Sequence, residues 1–193
     1  ADLKGVATHQ TVTQGISMLT RMEHRGAQAG DSNTGDGAGI LTQLPHLFFQ
    51  KVCSALSMVE AGSYGVAMVF LPLDPVLRNQ CQEAFQTIVE DEGQELLGWR
   101  TVPVQDTSLG ESARKSQPFI RQLFIGKKVE DEEQFERLLY VIRKRTEKRI
   151  RDEKLAGNET FYVASLSART IVYKGMLTPG QLDQYYLDLK DSD

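Results

Sequence analysis

The chain has 193 residues, 40% of them hydrophobic and 25% charged, which is the composition of an ordinary globular protein. Its net charge of −4 excludes the basic surface expected of a protein that binds nucleic acid or an anionic membrane. No apolar run approaches the roughly 18 residues that a membrane span needs, and no signal peptide is recognisable. The sequence therefore predicts neither a nucleic-acid partner nor a membrane partner.

The two cysteines predict free thiols. Cys53 and Cys81 lie far apart, neither belongs to a CxxC pair, and the chain has only three histidines. We therefore expect no metal site in this chain, and a reducing compartment, the cytoplasm. Both cysteines fall within predicted helices, where a buried thiol is normally inert, so neither is a good candidate nucleophile.

The first predicted helix spans residues 8–23, with Thr8 available as its N-cap. Its apolar residues recur at helical spacing: Val12, Ile16, Leu19 and Met22. Gly15 inside it lowers helix stability by about 1 kcal/mol relative to alanine. We therefore expect a close packing contact at Gly15.

Apolar runs, alternation and turn residues predict the remaining elements. In chain order they are a strand at 38–45, a helix at 46–56, a strand at 64–72, a helix at 75–92 capped by Asp74, a strand at 95–104, a helical turn at 109–113, a strand at 117–126, a helix at 131–154, two strands within 160–175 with a turn near Ser167, and a helix that starts at Thr178 and Pro179. Strands follow strands as well as helices, which favours an α+β fold over a doubly wound parallel sheet.

The longest predicted helix carries a basic run, Arg143 to Arg151. A nucleic-acid patch is one interpretation, and the solvated face of an amphipathic helix is the other. Acidic residues precede and interrupt the run, and no aromatic residues are interleaved with it, which favours the solvated face. The i,i+4 spacing also predicts ion pairs between Glu133 and Arg137 and between Glu147 and Arg151.

The segment TGDGAG, from Thr34 to Gly39, is rich in glycine. No Gly-Lys-Ser/Thr follows it, which excludes a Walker A loop, and it precedes a strand where a dinucleotide fingerprint would open a helix. A tight turn that uses positive φ angles is one interpretation. A loop that cradles a substrate is the other.

The step His24-Arg25-Gly26 comes directly after the first predicted helix. A rigid, always-charged guanidinium at this position suits recognition of a carboxylate. A cation that satisfies the last carbonyl groups of the helix is the equally common alternative.

Four strings together resemble one known family: ADLKG, MEHRGAQAGDSNTGDGAGILTQLPHLFF, GWRTVPV and FYVASLSARTIVYKGMLTPGQL. They are similar to the amino-terminal glutaminase region of the large subunit of glutamate synthases, a class II glutamine amidotransferase domain. The resemblance implies a partial N-terminal-nucleophile hydrolase fold, a four-layer α-β-β-α sandwich. Because it runs end to end, we expect residues 1–193 to form a single domain, as an incomplete piece of the glutaminase domain.

The resemblance also implies a reaction, in which L-glutamine is hydrolysed to glutamate and ammonia, and the ammonia passes to 2-oxoglutarate to make L-glutamate. The family's nucleophile is a cysteine at the mature amino terminus, activated by its own α-amino group. We expect this cysteine upstream of Ala1 and the Asn-Gly oxyanion hole downstream, so that the 193 residues alone are inactive. Arg25 matches the arginine of the family's HRG motif, which implies a substrate-binding role, whereas His24 and Gly26 match non-catalytic positions.

Further expectations concern the parent enzyme. The resemblance implies FMN and an iron–sulfur cluster elsewhere in the parent, and no cofactor in these residues. L-glutamine is the expected substrate, the remaining glutamate synthase domains are the expected partners, and a small subunit is left open, as is the electron donor (NADPH, NADH or ferredoxin). The alternative is a catalytically dead amidotransferase-like domain that serves as a binding or assembly module.

Overall fold

The computed structural model of the chain describes residues 7–23, 33–153 and 160–192. The helices are α1 (His9–Arg21), α2 (His46–Val52), α3 (Pro75–Asp91), α4 (Glu111–Lys115), α5 (Glu132–Asp152) and α6 (Leu182–Tyr185). The strands are β1 (Ala38–Gln43), β2 (Tyr64–Leu71), β3 (Glu95–Thr101), β4 (Phe119–Gly126), β5 (Tyr162–Ser167) and β6 (Thr170–Gly175). This mixture of helices with antiparallel strands confirms the predicted α+β class.

Side-chain caps begin three of the helices, two of them, Thr8 and Asp74, as the sequence predicts. Thr8 caps α1, with its side chain accepting a hydrogen bond from a backbone N–H of the first turn. Asp74 Oδ1 accepts from the N–H groups of Val76 and Leu77, both at 2.9 Å. Asp131 caps α5 in the same way. Each cap satisfies backbone donors that an α-helix leaves without an internal partner, which fixes where these helices start.

The second predicted helix is wrong at its end, because α2 stops at Val52. The Cys53 N–H still bonds to the Phe49 carbonyl, but Cys53 itself is extended and leads into a 3-10 turn at Ser54–Leu56. That turn buries Leu56 completely. The chain changes direction at Cys53, and this change places the Leu56 side chain in the interior. Cys53 therefore lies outside any helix.

The last predicted helix is also broken into short pieces. A 3-10 turn at Pro179–Gln181 leads into α6, and a second 3-10 turn follows at Leu187–Lys190. Between them Tyr186 is extended and forms an isolated antiparallel bridge with Val104. The fully buried Tyr186 side chain explains why the helix does not continue through this position.

The chain divides into two compact units, and each is described by itself. The larger unit consists of residues 49–101 and 118–171. Its four strands form an antiparallel sheet in the order β3-β4-β2-β5. The register of the central pair runs from Tyr64 opposite Gly126 to Leu71 opposite Phe119.

The core of this unit lies between the sheet and the helices α3 and α5. Its buried members come from both helices and from the strands: Ala67, Val69, Leu71, Cys81, Ala84, Phe85, Ile88, Val89, Leu123, Ile125, Phe135, Leu139, Ile142, Ile150 and Val163. Phe135, Leu139 and Ile142 form the apolar face by which α5 packs into this core. On the opposite face of the sheet, Phe49 packs edge-on against Phe124 with ring centroids 5.2 Å apart. Burial on both faces explains why β2 is a continuous apolar run.

The smaller unit contains α1, β1, α4, the greater part of β6 and the segment that includes α6. Strand β1 pairs with β6 in a two-stranded sheet. Gly15 of α1 lies against this unit's sheet, since a Cβ there would lie 3.2 Å from Ile40 Cδ1. The close contact predicted at Gly15 is therefore confirmed.

Candidate functional site

The predicted substrate-binding arginine, Arg25, lies outside the described residues, as do His24 and Gly26. The description of this stretch stops at Glu23, shortly after α1, and resumes at Asn33. What the structure places is therefore the second half of the glycine-rich motif and its surroundings.

The loop from Asn33 to Gly37 turns the chain into β1. Thr34 and Gly35 are buried, whereas Asp36 and Gly37 are exposed. Gly37 has a φ of +136°, which only glycine adopts readily, so the predicted turn with a positive φ angle is confirmed here. This loop presents Asp36 to solvent on a backbone that is fixed on both sides.

Gly35 is required by a close approach of two backbone segments. A Cβ atom at Gly35 would lie 2.1 Å from the carbonyl oxygen of Leu177 and 2.5 Å from the Thr178 nitrogen. These distances are far below any van der Waals contact, so no side chain fits. The TGDGAG motif and the KGMLTPGQL motif, far apart in sequence, meet at this point.

Gln181 ties the loop to its neighbours. Its Nε2 donates to the carbonyl oxygens of Asn33 at 2.9 Å and Ser108 at 2.6 Å. Its Oε1 accepts from the Thr178 N–H at 2.8 Å, which closes a capping box over the Pro179–Gln181 turn. The side chain is 7% exposed, so these bonds are largely shielded from water.

Residues 109–113 hold the other side of the loop. The Gly110 N–H donates to the Asn33 carbonyl at 2.9 Å, which thereby accepts a second hydrogen bond beside that from Gln181. The Ala113 N–H donates to Thr34 Oγ1 at 3.4 Å. The Asn33–Gly37 loop is thus fixed by hydrogen bonds from two other segments of the smaller unit, a degree of preorganisation suited to a binding loop.

Strand β1 continues this close packing into the sheet. A Cβ at Gly39 would lie 2.8 Å from the Tyr173 carbonyl oxygen and 2.7 Å from Lys174 Cβ. The Lys174 carbonyl accepts a hydrogen bond from the buried Tyr186 hydroxyl at 2.8 Å. Strand β6, with the sequence TIVYKG, therefore packs directly against the glycine-rich segment.

Neither cysteine has the surroundings of a nucleophile. Cys81 is completely buried, and burial raises the pKa of its thiol to about 11, so the thiolate is scarce at neutral pH. Cys53 lies near Tyr64, whose pKa burial and the neighbouring Cys53 raise to about 12. That phenol stays protonated at neutral pH and cannot accept the Cys53 proton. Both cysteines are free, as predicted.

The thiols also fail to fit an iron–sulfur cluster. Such a cluster is normally held by four cysteine thiolates, and this chain has two, one completely buried and the other in a separate segment. Among residues 7–23, 33–153 and 160–192, no group of three or more His, Cys, Asp or Glu side chains is suited to metal coordination. None of the helices in these ranges combines the length and apolar character that crossing a bilayer requires.

The basic run on α5 is largely neutralised within the larger unit. Arg143 and Lys144 both bond to Glu147, at 2.8 and 3.1 Å. The other pairs are Arg145 with Asp91 and Glu92, Lys148 with Asp152, and Arg149 with Glu153. This pairing agrees with the solvated-face interpretation and leaves no continuous cationic strip for nucleic acid.

One of the two predicted ion pairs on α5 is wrong. Glu133 and Arg137 lie 3.9 Å apart, as predicted. Glu147 instead bonds to the two cations on its N-terminal side, Arg143 and Lys144, and Arg151 forms no ion pair with any residue that the structure describes. Glu147 has a cation four residues away on each side, Arg143 and Arg151, and it pairs with Arg143.

A model of the family described as class-II glutamine amidotransferases matches residues 1–193. The chain belongs to this family. The match to class II amidotransferases covers both compact units and both motifs that meet at Gly35.

Three curated relatives of this amidotransferase chain are glutamate synthases. The chain is 49% identical over 193 residues to the glutamate synthase [NADPH] large chain of Bacillus subtilis, covering 99% of the chain and 12% of that protein. It is 38% identical over 194 residues to the chloroplastic/mitochondrial ferredoxin-dependent glutamate synthase 1 of Arabidopsis thaliana, with 99% and 12% coverage. It is 36% identical over 200 residues to the glutamate synthase [NADH] of Schizosaccharomyces pombe, with 99% and 9% coverage. The chain thus spans about a tenth of each relative.

The role of Gln181 in this amidotransferase chain was missed at the sequence level. The pattern Thr-Pro-Gly-Gln, from Thr178 to Gln181, is a capping-box signal that could have revealed its local bond. Its bonds to Asn33 and Ser108 join segments 148 and 73 residues away, and no local pattern encodes such contacts.

Proposed function

We propose that this chain is part of the glutaminase domain of a glutamate synthase. The parent would hydrolyse L-glutamine to glutamate and ammonia and pass the ammonia to 2-oxoglutarate to make L-glutamate. The observation that carries the proposal is the 49% identity, along 99% of the chain, to a protein named glutamate synthase [NADPH] large chain. Membership of the class II glutamine amidotransferases supports glutamine as the substrate.

The proposal includes the fold of the parent domain. Both compact units would belong to one glutaminase domain with the four-layer α-β-β-α sandwich of N-terminal-nucleophile hydrolases. Support comes from the larger unit, where α3 and α5 cover one face of an antiparallel sheet whose other face is also apolar and buried. A second sheet, β1 with β6, supplies the other strands.

In the proposed reaction, the nucleophile is a cysteine at the mature amino terminus of the parent, outside these residues. Its thiol proton passes to its own α-amino group, and the sulfur attacks the carbon of the glutamine side-chain amide. The carbon–nitrogen bond then breaks, ammonia leaves with the transferred proton, and water hydrolyses the thioester to glutamate. Because Cys81 is buried and the Tyr64 phenol beside Cys53 stays protonated at neutral pH, the 193 residues alone would not be expected to hydrolyse glutamine.

Arg25 is the residue of this chain that we propose to bind substrate. Its guanidinium would pair with a carboxylate of glutamine and help to order the nucleophile-bearing terminus, a role suited to a rigid bidentate donor. The fixed Asn33–Gly37 loop, held by Gln181 and Gly110, would anchor the far end of the segment that carries Arg25.

The redox half of the parent reaction is proposed to lie outside these residues. FMN and an iron–sulfur cluster would supply electron transfer there, and the remaining domains would be the partners of this chain. Three relatives that each match 99% of this chain are named for three different electron donors, NADPH, ferredoxin and NADH. The glutaminase step would therefore be independent of the donor. A cytoplasmic location remains a prediction.

The test uses the full-length protein that contains this chain. Glutamate released from glutamine is measured for the unmodified protein, for Arg25→Ala and for Arg25→Lys. We expect hydrolysis by the unmodified protein and a rise in KM for glutamine of about tenfold or more in Arg25→Ala, the size expected for a lost charge-assisted bond. Arg25→Lys should recover part of this loss. A folded full-length protein that releases no glutamate would support the catalytically dead binding module instead.

A further inference from the structure

A cleft in the larger unit lies between the C-terminal half of α5 and the start of β5. Its volume is about 350 Å³. Arg143, Lys144, Glu147 and Arg151 line it from the helix, and Phe161 and Tyr162 line it from the strand side. Basic and aromatic side chains therefore face one cavity large enough for a small organic molecule.

The charges in this cleft do not balance. Arg143 and Lys144 share a single carboxylate, that of Glu147. Burial raises the pKa of Glu147, but the hydrogen bonds from Arg143 and Lys144 outweigh this and hold that pKa below its usual value, so the carboxylate is ionised. Among the lining residues that the structure describes, three cations (Arg143, Lys144 and Arg151) stand against one carboxylate, an excess of two positive charges.

Arg151 is the cation of this cleft without a carboxylate partner among the residues that the structure describes. Every other cation of the run Arg143–Arg151 has a carboxylate partner on α3, on α5 or at the residue that follows either helix. Arg151 has none among the residues that the structure describes. Arg143 also retains capacity, since only its Nε is bonded to Glu147 and its terminal NH₂ groups are not part of that bond.

The aromatic wall of the cleft packs against other rings of the larger unit. Phe161 packs edge-on against Phe85 of the core, with ring centroids 6.5 Å apart. Tyr162 packs against Phe70 at 5.8 Å and is 41% exposed, so part of its ring surface is accessible. Fixed aromatic rings beside cations favour a ligand that has both a planar or apolar part and a negative charge.

We propose that this cleft binds a small organic anion, with its carboxylate or phosphate on Arg151 and its planar or apolar part against Phe161 and Tyr162. A nucleic-acid strand is a poorer fit, because the cations that flank the cleft are already paired. The proposal is independent of the glutaminase function and concerns a part of the chain that the function does not use.

The test is a titration of the full-length protein that contains this chain, followed by ligand-observed NMR, with four matched probes. Phenyl phosphate and phenylacetate carry a ring and a charge, inorganic phosphate carries the charge alone, and benzyl alcohol carries the ring alone. We expect one or both ring-bearing anions to bind about tenfold or more tightly than either single-feature probe. The comparison of phenyl phosphate with phenylacetate identifies the preferred acidic group.

Two variants then locate the site. Arg151→Gln should weaken binding of the preferred probe by about tenfold, the loss of one charge-assisted bond. Arg149→Gln removes the same charge at a position on the same helix that does not line the cleft. This variant should change affinity by less than about twofold. Equal losses in both variants, binding of inorganic phosphate as tight as that of phenyl phosphate, or no saturable binding of any probe would overturn the proposal.

Discussion

Glu136 on α5 accepts a hydrogen bond from the Ser167 hydroxyl, with Oε1 and Oγ 2.9 Å apart. The same carboxylate oxygen accepts from the Ala168 N–H at 2.7 Å. Ser167 Oγ in turn accepts from the N–H groups of Arg169 and Thr170, at 2.9 and 3.2 Å. Glu136 therefore closes the turn that leads from β5 to β6, within the string SLSAR.

Replacement of Glu136 by alanine should destabilise the chain. The change leaves the Ala168 N–H and the Ser167 hydroxyl without their acceptor, which costs about 1–3 kcal/mol in free energy of unfolding. Urea unfolding followed by circular dichroism measures the loss. Glu133→Ala, on the same helix with an exposed ion pair to Arg137, is the matched control and should cost about 0.5 kcal/mol or less. Equal losses in the two variants would show that the turn does not depend on Glu136.

Substitution of Gly35 tests the junction of the two motifs. In Gly35→Ala the new Cβ would overlap the Leu177 carbonyl oxygen, and the backbones must separate, at a cost of about 1–3 kcal/mol or more. Gly180→Ala is the control, because a Cβ there meets nothing within 4 Å. Thermal unfolding should show a lower Tm for Gly35→Ala and an unchanged or slightly higher Tm for Gly180→Ala. A normal Tm in Gly35→Ala would contradict the close approach.

Gln181 can be tested with an isosteric change. Gln181→Glu replaces the amide donor with a carboxylate oxygen that faces the carbonyl oxygens of Asn33 and Ser108, so repulsion replaces two hydrogen bonds. We expect a loss of about 3 kcal/mol or more in free energy of unfolding at neutral pH. Gln184→Glu adds the same charge at an exposed position three residues on, and should be nearly neutral. Similar stability of the two variants would refute the anchoring role of Gln181.

The raised pKa of the buried Cys81 thiol predicts that the folded chain loses stability at alkaline pH. Its pKa is about 11 in the folded chain because of burial, against 9.0 for an ordinary thiol. The unfolded chain therefore loses this proton first, so stability is full below pH 9 and falls as the pH rises to about 11. This thiol alone accounts for up to about 3 kcal/mol of the decline.

Cys81→Val removes that contribution while it keeps an apolar side chain of similar size in the core. Urea unfolding at pH 8, 9 and 10 should show a shallower decline in the variant than in the unmodified chain. Tyr64 and Tyr185, whose pKa values burial raises to about 12, still titrate in both proteins and cancel in the comparison. Identical slopes would show that the Cys81 proton is not linked to folding.

Local chemistry made most element boundaries predictable. Thr8, Asp74 and Asp131 are side chains that satisfy their own helix N-termini, so short patterns were sufficient to locate these helices. Gly15 was also predictable, because a glycine inside an amphipathic helix indicates a close neighbour. These features depend on neighbours in sequence or on a single packed face.

The features that the sequence did not predict depend on tertiary packing. Glu147 had two suitable cations at helical spacing, and the choice of Arg143 over Arg151 depends on how each side chain packs. Cys53 left the predicted helix because burial of Leu56 required a turn. The contact of Gly35 with Leu177 joins residues far apart in the chain, and a single sequence does not encode which glycine meets which carbonyl.

Covalent labelling of the full-length protein with an electrophilic glutamine analogue, followed by peptide mass spectrometry, tests the glutaminase proposal most directly. We predict one adduct, on a cysteine at the mature amino terminus upstream of these residues, formed more slowly in Arg25→Ala. Cys53 and Cys81 should remain unmodified. An adduct on Cys53 or Cys81, or no adduct on a folded full-length protein, would contradict the proposal.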